Sequence, residues 1–362
     1  MSTLFKSFTS LPSSLPAIIV PTVIMLIFSF FTLTAAPDPV RAAKSFNLGI
    51  VNQDTGIIFP PINFASKVLE GVGQNLPFTI TEIETPEDAH IALEEGRIAA
   101  AILFPQDFTK NAMGEENFEI EVLNAQHLTV SETQVAAQLP TMIQMAMSAG
   151  VANLRLAFAK GKLPTDGFPV TTKVTTLHKA ENTAMMVAPV VMTNVAWLAA
   201  FVGAILLFFA SKDFGSPKQR AVLRTILPIG SIGVASLVLS LVIAATSAQW
   251  ASIFAVWLTM WVAALCLTWL FGGIFALLGP FAAVLVLPFV FYQGAIGGAL
   301  SPLGAAPTWL QSVGNTVPFD EIGAAFRGVI HGAAFDLPLL WLAAAAIIGL
   351  TLIWTKALIQ RP

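Results

Sequence analysis

Seven charged side chains in the C-terminal half of the chain are spaced so that they could act together. SKDFGSPKQRAVLR (211–224) gathers Lys212, Lys218, Arg220 and Arg224 in one short stretch. Such a cationic loop can dock a partner subunit. It can equally do no more than fix topology, because Lys and Arg are retained on the cytoplasmic side of a membrane. Both readings stay open on these residues alone. Asp320, Glu321 and Arg327 form the second group. They are candidates for an outer gate, or for ordinary solvation at an interface. Glu321 and Arg327 are six positions apart, which is not a helical pairing distance.

Other reactive residue types are dispersed. His90, His127, His178 and His331 show no HExxH or other metal spacing and read as structural. There is no GxxxxGK[ST] with which to cradle phosphates, and Gly71-Val72-Gly73 runs into Gln74-Asn75-Leu76, a turn rather than a dinucleotide fingerprint. No GxSxG occurs. The single Cys266 excludes an internal disulfide and a multi-cysteine zinc site. The expectation is a chain without catalytic residues, metal or cofactor of its own.

The elements that must carry these residues are set by where charge is missing. Hydrophobic residues make up 56% of the chain and charged ones 11%, against roughly 25% charged in a soluble domain. A net charge of −3 argues against a nucleic-acid partner, which would select a basic excess. Uncharged runs cover Ser7–Pro37, Asn182–Ser211, Thr225–Phe319 and Leu337–Thr355. A spanning helix needs about 20 mostly apolar residues. Divided at SAQWAS (247–252) and at Gly279-Pro280, these runs predict six spans. They are centred near Ile24, Phe201 and Ala345, and cover Leu227–Ala245, Ile253–Leu278 and Phe281–Gly298. None holds an Asp, Glu, His or Lys, so a transporter of this kind would have no ion relay of its own. Lys6, the 211–224 loop, Lys356 and Arg361 put both termini in the cytoplasm, and the first span reads as an uncleaved anchor rather than a signal peptide. Trp250, Trp309, Trp341 and Trp354 fall where interfacial belts lie, and Gly294/Gly297/Gly298 and Gly230/Gly233 read as packing.

Residues 38–181 carry seventeen Asp or Glu against ten Lys or Arg and read as an extracytoplasmic α/β domain between the first and second spans. Strands are expected at 46–52, 78–84, 99–105, 118–125 and 170–178. Helices are expected at Ile62–Gly71, from Thr85-Pro86 to about Arg97, after a capping Asp107, and over 131–160. The last has an apolar stripe that includes Val135, Leu139, Ile143 and Met147, and it holds Pro140. The division is thus 1–37, 38–181 and 182–362, the last holding five helices and an outer loop at 299–336.

VNQDTG (51–56) followed by EEGRIAAAILFPQDFTKNA (94–112) resembles the outer domain of type 2 ABC transporter permeases. LHKAENTAMMVAPVVMTNVAWLAAFVGA (177–204) resembles the YhgE/Pip (phage infection protein) branch, as does SPLGAAPTWLQSVGNTVPFDEIGAAFRGVIHG (301–332). The last-loop helix of that family usually opens with Leu-Pro and then aromatic and polar residues, whereas this chain has Val317-Pro318-Phe319-Asp320-Glu321. The resemblance implies a bacterial inner-membrane exporter subunit, a homodimer or half of a heterodimer, surrounded by membrane lipid. ATP would be bound by a separate subunit docked at 211–224. It also implies that the two helices of 301–332 lie at the membrane surface. An alternative is a surface protein whose outer domain acts as a receptor or scaffold without transport.

Overall fold

A computed structural model describes residues 38–57, 63–68, 77–158, 168–298 and 300–360, with six further positions between 22 and 33. The first expected span and the Gly71–Gly73 turn therefore lie almost wholly outside the described residues.

A short helix, α1 (Pro39–Ser45), leads into a five-stranded sheet of order β2-β1-β3-β4-β5. Its strands are β1 (Asn47–Asn52), β2 (Thr79–Ile83), β3 (Ala100–Phe104), β4 (Phe118–Ala125) and β5 (Val170–Leu177). Only β3 and β4 pair antiparallel. β1 and β3 are central, which is why both read as near-continuous apolar runs rather than as alternation. Residues 64–68 are helical, and α2 (Pro86–Glu94) starts as its sequence dictates. Thr85 accepts from the Asp88 amide, Pro86 opens the helix, and Glu87 and Asp88 occupy the positive end of its dipole.

The parallel β4–β5 pair requires a long crossover, supplied by the 29-residue α4 (Val130–Phe158). Its stripe of Ala136, Leu139, Ile143, Met147 and Val151 is buried against the sheet, while Val135 packs at the edge. Arg155, 3% exposed, donates to the carbonyls of Asn111, Ala112, Glu115 and Glu116. It thereby ties the end of α4 to the end of α3 (Phe108–Met113).

Asp107 stands before α3 but makes no capping bond there. Asp54 does that work from 53 residues away in the chain. Its carboxylate accepts from the Thr109 amide at 3.0 Å and the Thr109 hydroxyl at 2.5 Å, while Gln53 and Thr55 donate to the Phe104 and Gln106 carbonyls. The VNQDTG and FPQDF segments are thus one structural unit. Asp54 is 8% exposed, so removing its carboxylate strands buried donors. Asp54→Ala is expected to cost about 2–3 kcal/mol, read as a lower unfolding midpoint in denaturant.

The remaining long helices are α5 (Thr183–Ala210), α6 (Pro217–Ser247), α7 (Ile253–Leu278), α8 (Ala282–Ile296) and α11 (Leu339–Ile359). Two shorter ones, α9 (Thr308–Gly314) and α10 (Phe319–His331), precede the last. Among the described residues four helical stretches are long and apolar enough to cross a membrane: α5, α6, the continuous Trp250–Gly294, and α11. The fifth expected span is the 15-residue α8, about 22 Å long against a hydrocarbon core of about 30 Å. It is separated from α7 only by a 3-10 turn at Gly279–Phe281, not by a loop.

Polar contacts fix the order of the ends. Asn182 donates to Thr246, Ser131 to the Leu300 carbonyl, and His178 bonds the His331 carbonyl, so these residues share the α/β end of the bundle. Arg220 reaches Gln360 at the other end, where Phe208 neighbours Gly279. The chain therefore runs alternately between the two ends, α8 included.

Two kinds of contact bind α7 to its neighbours α6 and α11. Trp257, Trp261 and Trp269 of α7 donate their indole N–H groups to the carbonyls of Gly233, Ile229 and Thr225 on α6, at 2.9–3.0 Å. An indole facing an apolar medium needs such an acceptor. Gly273 of α7 and Gly349 of α11 bring two backbones into direct contact. Of the glycines expected to pack, Gly233 lies against Trp261 but Gly230 has nothing within 4 Å. Trp250 and Trp309 are exposed, whereas Trp197 is buried and stacks on Phe319 at 4.6 Å.

Candidate functional site

The charged residues singled out from the sequence lie at opposite ends of the bundle. At the far end from the sheet, the basic stretch is mostly helix. Ser216 and Gln219 form a capping box, so α6 begins at Pro217, ten residues before the expected Leu227. Lys218, Arg220 and Arg224 therefore fall on the first turns of α6 rather than in a loop, because the box and Pro217 start that helix early.

The four cations divide into two pairs. The Arg224 Nε donates to Ser211 Oγ at 2.7 Å, an Nη donates to the Phe208 carbonyl, and the guanidinium lies 5.1 Å from the Phe208 ring centre. Arg220 donates to the carbonyls of Lys212 and Gly215 and to Gln360. Arg224 braces the turn from a part-buried position and Arg220 spans it at the surface with longer bonds of 3.3–3.5 Å, roles suited to a planar fork of donors. Lys212 and Lys218 are exposed, and Phe214 between them is 52% exposed.

At the sheet end, α10 is wedged between the α/β domain and the bundle. Phe319, Ile322, Ala325 and Phe326 are fully buried, because its apolar face meets α5 and α7 while its polar face meets the sheet domain. Asp320 and Arg327 are seven apart, hence on one face, and Arg327 Nη2 lies 4.0 Å from Asp320 Oδ1. The other Nη donates to the Gly298 carbonyl. Gly298 has a φ of +63°, and any Cβ there would strike the Asp320 carboxylate, so glycine is required on both counts. Glu321 is exposed about 100° round the helix from Asp320 and lines a different cavity with Asn315 and Trp341. Of the three residues, Asp320 and Arg327 are brought together and Glu321 is not.

Three histidines separated by 51 and 153 positions converge beside this pair. His178, the last residue before the link to α5, bonds Glu94 through Nε2 at 2.7 Å and the His331 carbonyl through Nδ1 at 3.1 Å. It has a φ of +49°, an uncommon conformation for a non-glycine residue, held by contacts to both halves. The His127 ring meets it edge-on at 5.0 Å. Burial, then the neighbouring His178, lowers the pKa of His127 to about 4, and burial likewise lowers His331 to about 4. Burial raises the carboxyls of Glu132 and Asp320, with Arg327 working against it, and burial lowers Arg327. Glu132 accepts from the amide and hydroxyl of Thr129.

The sequence alone does not reveal this cluster. His127, His178 and His331 lie on three separate elements with no common spacing, and Glu94 and Glu132 look like ordinary surface acids. The one available signal was that charge resumes at Asp320 immediately after 95 uncharged residues. A second omission is the amide pair Asn194–Gln293, joined at 2.9 Å between α5 and α8. Among the described residues no group of His, Cys, Asp or Glu is arranged to hold a metal ion.

No family model and no curated protein matches the chain. Among solved structures there is a weak likeness. It is to a "domain of a putative ABC type-2 transporter" from Thermotoga maritima MSB8, at 16% identity, covering 36% of this chain and 86% of that one, with a TM-score of 0.25. A score that low does not define a shared fold.

Proposed function

We propose that the chain is the membrane-spanning subunit of an ABC-type exporter in a bacterial inner membrane, working as a homodimer or half of a heterodimer with a separate ATPase. The observation that carries this reading is the construction of the α5–α6 turn. Arg224 ties it to the end of α5 from a part-buried position, Arg220 adds longer bonds at its surface, and Lys212, Phe214 and Lys218 face outward. An exposed aromatic flanked by lysines on a braced turn is built to be pushed, and a mere topology signal needs no bracing.

Motion applied there has a stiff route. Arg224 couples α6 to the end of α5, the three indoles couple α6 to α7, and the glycine contact couples α7 to α11. The helices of one subunit move as a body, and the link that leads into the start of α5 begins at His178, on the junction with the outer domain. The long apolar helices hold no ion relay, so nucleotide hydrolysis in a partner supplies the energy. The outer-domain motifs that resemble type 2 ABC transporter permeases, and the 177–204 and 301–332 segments that resemble the YhgE/Pip branch, support the same reading.

The test separates docking from folding. Lys212→Glu combined with Lys218→Glu is expected to lower capture of the ATPase in mild detergent by roughly tenfold at unchanged thermal stability. Arg224→Gln is expected to lower stability itself. Undiminished capture in the double-lysine variant sinks the docking role.

A further inference from the structure

α4 carries two apolar stripes. One packs on the sheet. The other is Met142, Met145, Ala149, Ala152 and Leu156, which recur at alternating steps of three and four residues. That is the spacing by which one helix seats along another. This second stripe faces away from the sheet. Met142 is 42%, Met145 52% and Leu156 41% exposed, Ala149 is exposed and Ala152 is half-buried. All five lie beyond Pro140, on about 21 Å of continuous helix.

A water-facing helix of the same domain is built differently, since α2 turns Glu87 and Asp88 outward. α4 holds only Glu132 and Arg155, and both are engaged within the chain, by Thr129 and by the carbonyls at the end of α3. Its outward face adds Gln138, Thr141 and Asn153 to the stripe and no charge. The helix also leaves the bundle. Ser131 bonds Leu300 at the junction, whereas Ser148 bonds Val170, at the end of β5 opposite to the link into α5. The stripe therefore stands clear of a bilayer spanned by α5, α6 and α11.

We propose that this stripe docks on the same stripe of a second copy of the chain, as a parallel helix pair. The proposal rests on the dimer part of the reading above and selects the homodimer. Two copies inserted alike in one membrane are related by a two-fold axis along its normal. Helices that climb from the junction then meet in parallel, and each stripe residue faces its own counterpart. Charge selects the same face. Residues 38–181 hold seventeen Asp or Glu against ten Lys or Arg, so two copies of the domain repel, and the uncharged stripe lets them touch without opposing carboxylates. The methionines adapt to the opposite surface, and the two alanines let the backbones close.

Disulfide cross-linking of the full chain in native membranes tests this, with Cys266→Ala as background and copper–phenanthroline as oxidant. Ala149→Cys is expected to give a linked dimer roughly tenfold faster than Glu87→Cys, an exposed position on α2. Met142→Cys, two steps back on the stripe, is expected to behave alike. Adding Met145→Glu sets two carboxylates face to face and is expected to slow the Ala149→Cys cross-link roughly fivefold, at unchanged unfolding temperature because Met145 is half exposed. Co-expressing Met145→Glu and Met145→Lys copies is expected to restore it. Equal rates at positions 149 and 87, no effect of Met145→Glu, or adducts with another protein alone overturn the proposal. If two differently tagged copies still co-purify in that event, the α4 pairing fails and the dimer reading stands. No ATPase enters this assay, so failure of the docking role leaves the cross-link unchanged.

Discussion

Alanine in place of Gly349 forces α7 and α11 apart. The added Cβ would meet the Trp269 carbonyl and stand 2.5 Å from the Leu270 nitrogen, and both are backbone atoms that cannot rotate away. The reciprocal change, Gly273→Ala, places a Cβ against the Gly349 carbonyl and 2.7 Å from its Cα. Relief requires moving whole helices. Overpacking of this kind costs about 3 kcal/mol. It also disturbs Trp269, whose indole reaches Thr225 on α6, so the damage spreads to a third helix. The expected readout is a large loss of monodisperse protein in detergent and a lower unfolding temperature. Gly230→Ala is the control: nothing lies within 4 Å of that position, and the change gains helix propensity of up to about 1 kcal/mol. Equal behaviour of Gly230→Ala and Gly349→Ala would refute the backbone contact.

Acidification is expected to loosen the outer domain from α10. His127 and His331 are held near pKa 4 by burial, against 6.5 for an ordinary histidine. Above about pH 6.5 both rings are neutral whether the junction is docked or open, so docking keeps its full stability. As pH falls from 6.5 towards 4, the open form takes up protons that the docked form refuses. Docking then weakens by about 2 kcal/mol per ring at pH 5 and about 3 kcal/mol at pH 4. Glu132 and Asp320 act with the opposite sign, since burial raises their pKa and the docked form gains protons earlier on acidification. A raised carboxyl exerts that opposite effect from its docked-state pKa downward, so it overlaps the histidine window of about pH 6.5 to 5, and comparison with His127→Phe isolates the ring's own contribution. Amide hydrogen exchange across Phe319–His331 is the measurement. Protection should fall through that window in the native chain and fall less in His127→Phe. A flat profile in both would show that the rings are not buried as described.

Much of the α/β domain was legible because strand alternation and helix starts are local. Thr85-Pro86-Glu87-Asp88 contains its own cap, its own first turn and its own dipole partners. Asp107 shows the limit of that logic. It occupies a capping position by sequence, yet Asp54 takes the bond, because a loop 53 residues earlier brings a second carboxylate to Thr109. The membrane half was legible as apolar runs, but not in its contacts. Gly273 and Gly349 are unremarkable in sequence and decisive in packing, whereas Gly230 sits in a small-residue cluster and touches nothing. The basic stretch was visible as charge. Its division into bracing arginines and outward lysines was not, since that depends on where Ser211 and Phe208 end α5. The histidine cluster is non-local throughout: a β4–α4 loop, the end of β5 and the end of α10 each supply one ring.

The coupling role of the α5–α6 turn is tested most directly by a photo-crosslinking phenylalanine analogue at position 214, irradiated in native membranes. Phe214 is exposed on the braced turn between Lys212 and Lys218. The predicted product is a covalent adduct between this chain and an ATP-hydrolysing subunit, diminished when Lys212 and Lys218 are both reversed to glutamate. Adducts with lipid or with a second copy of this chain alone would contradict it.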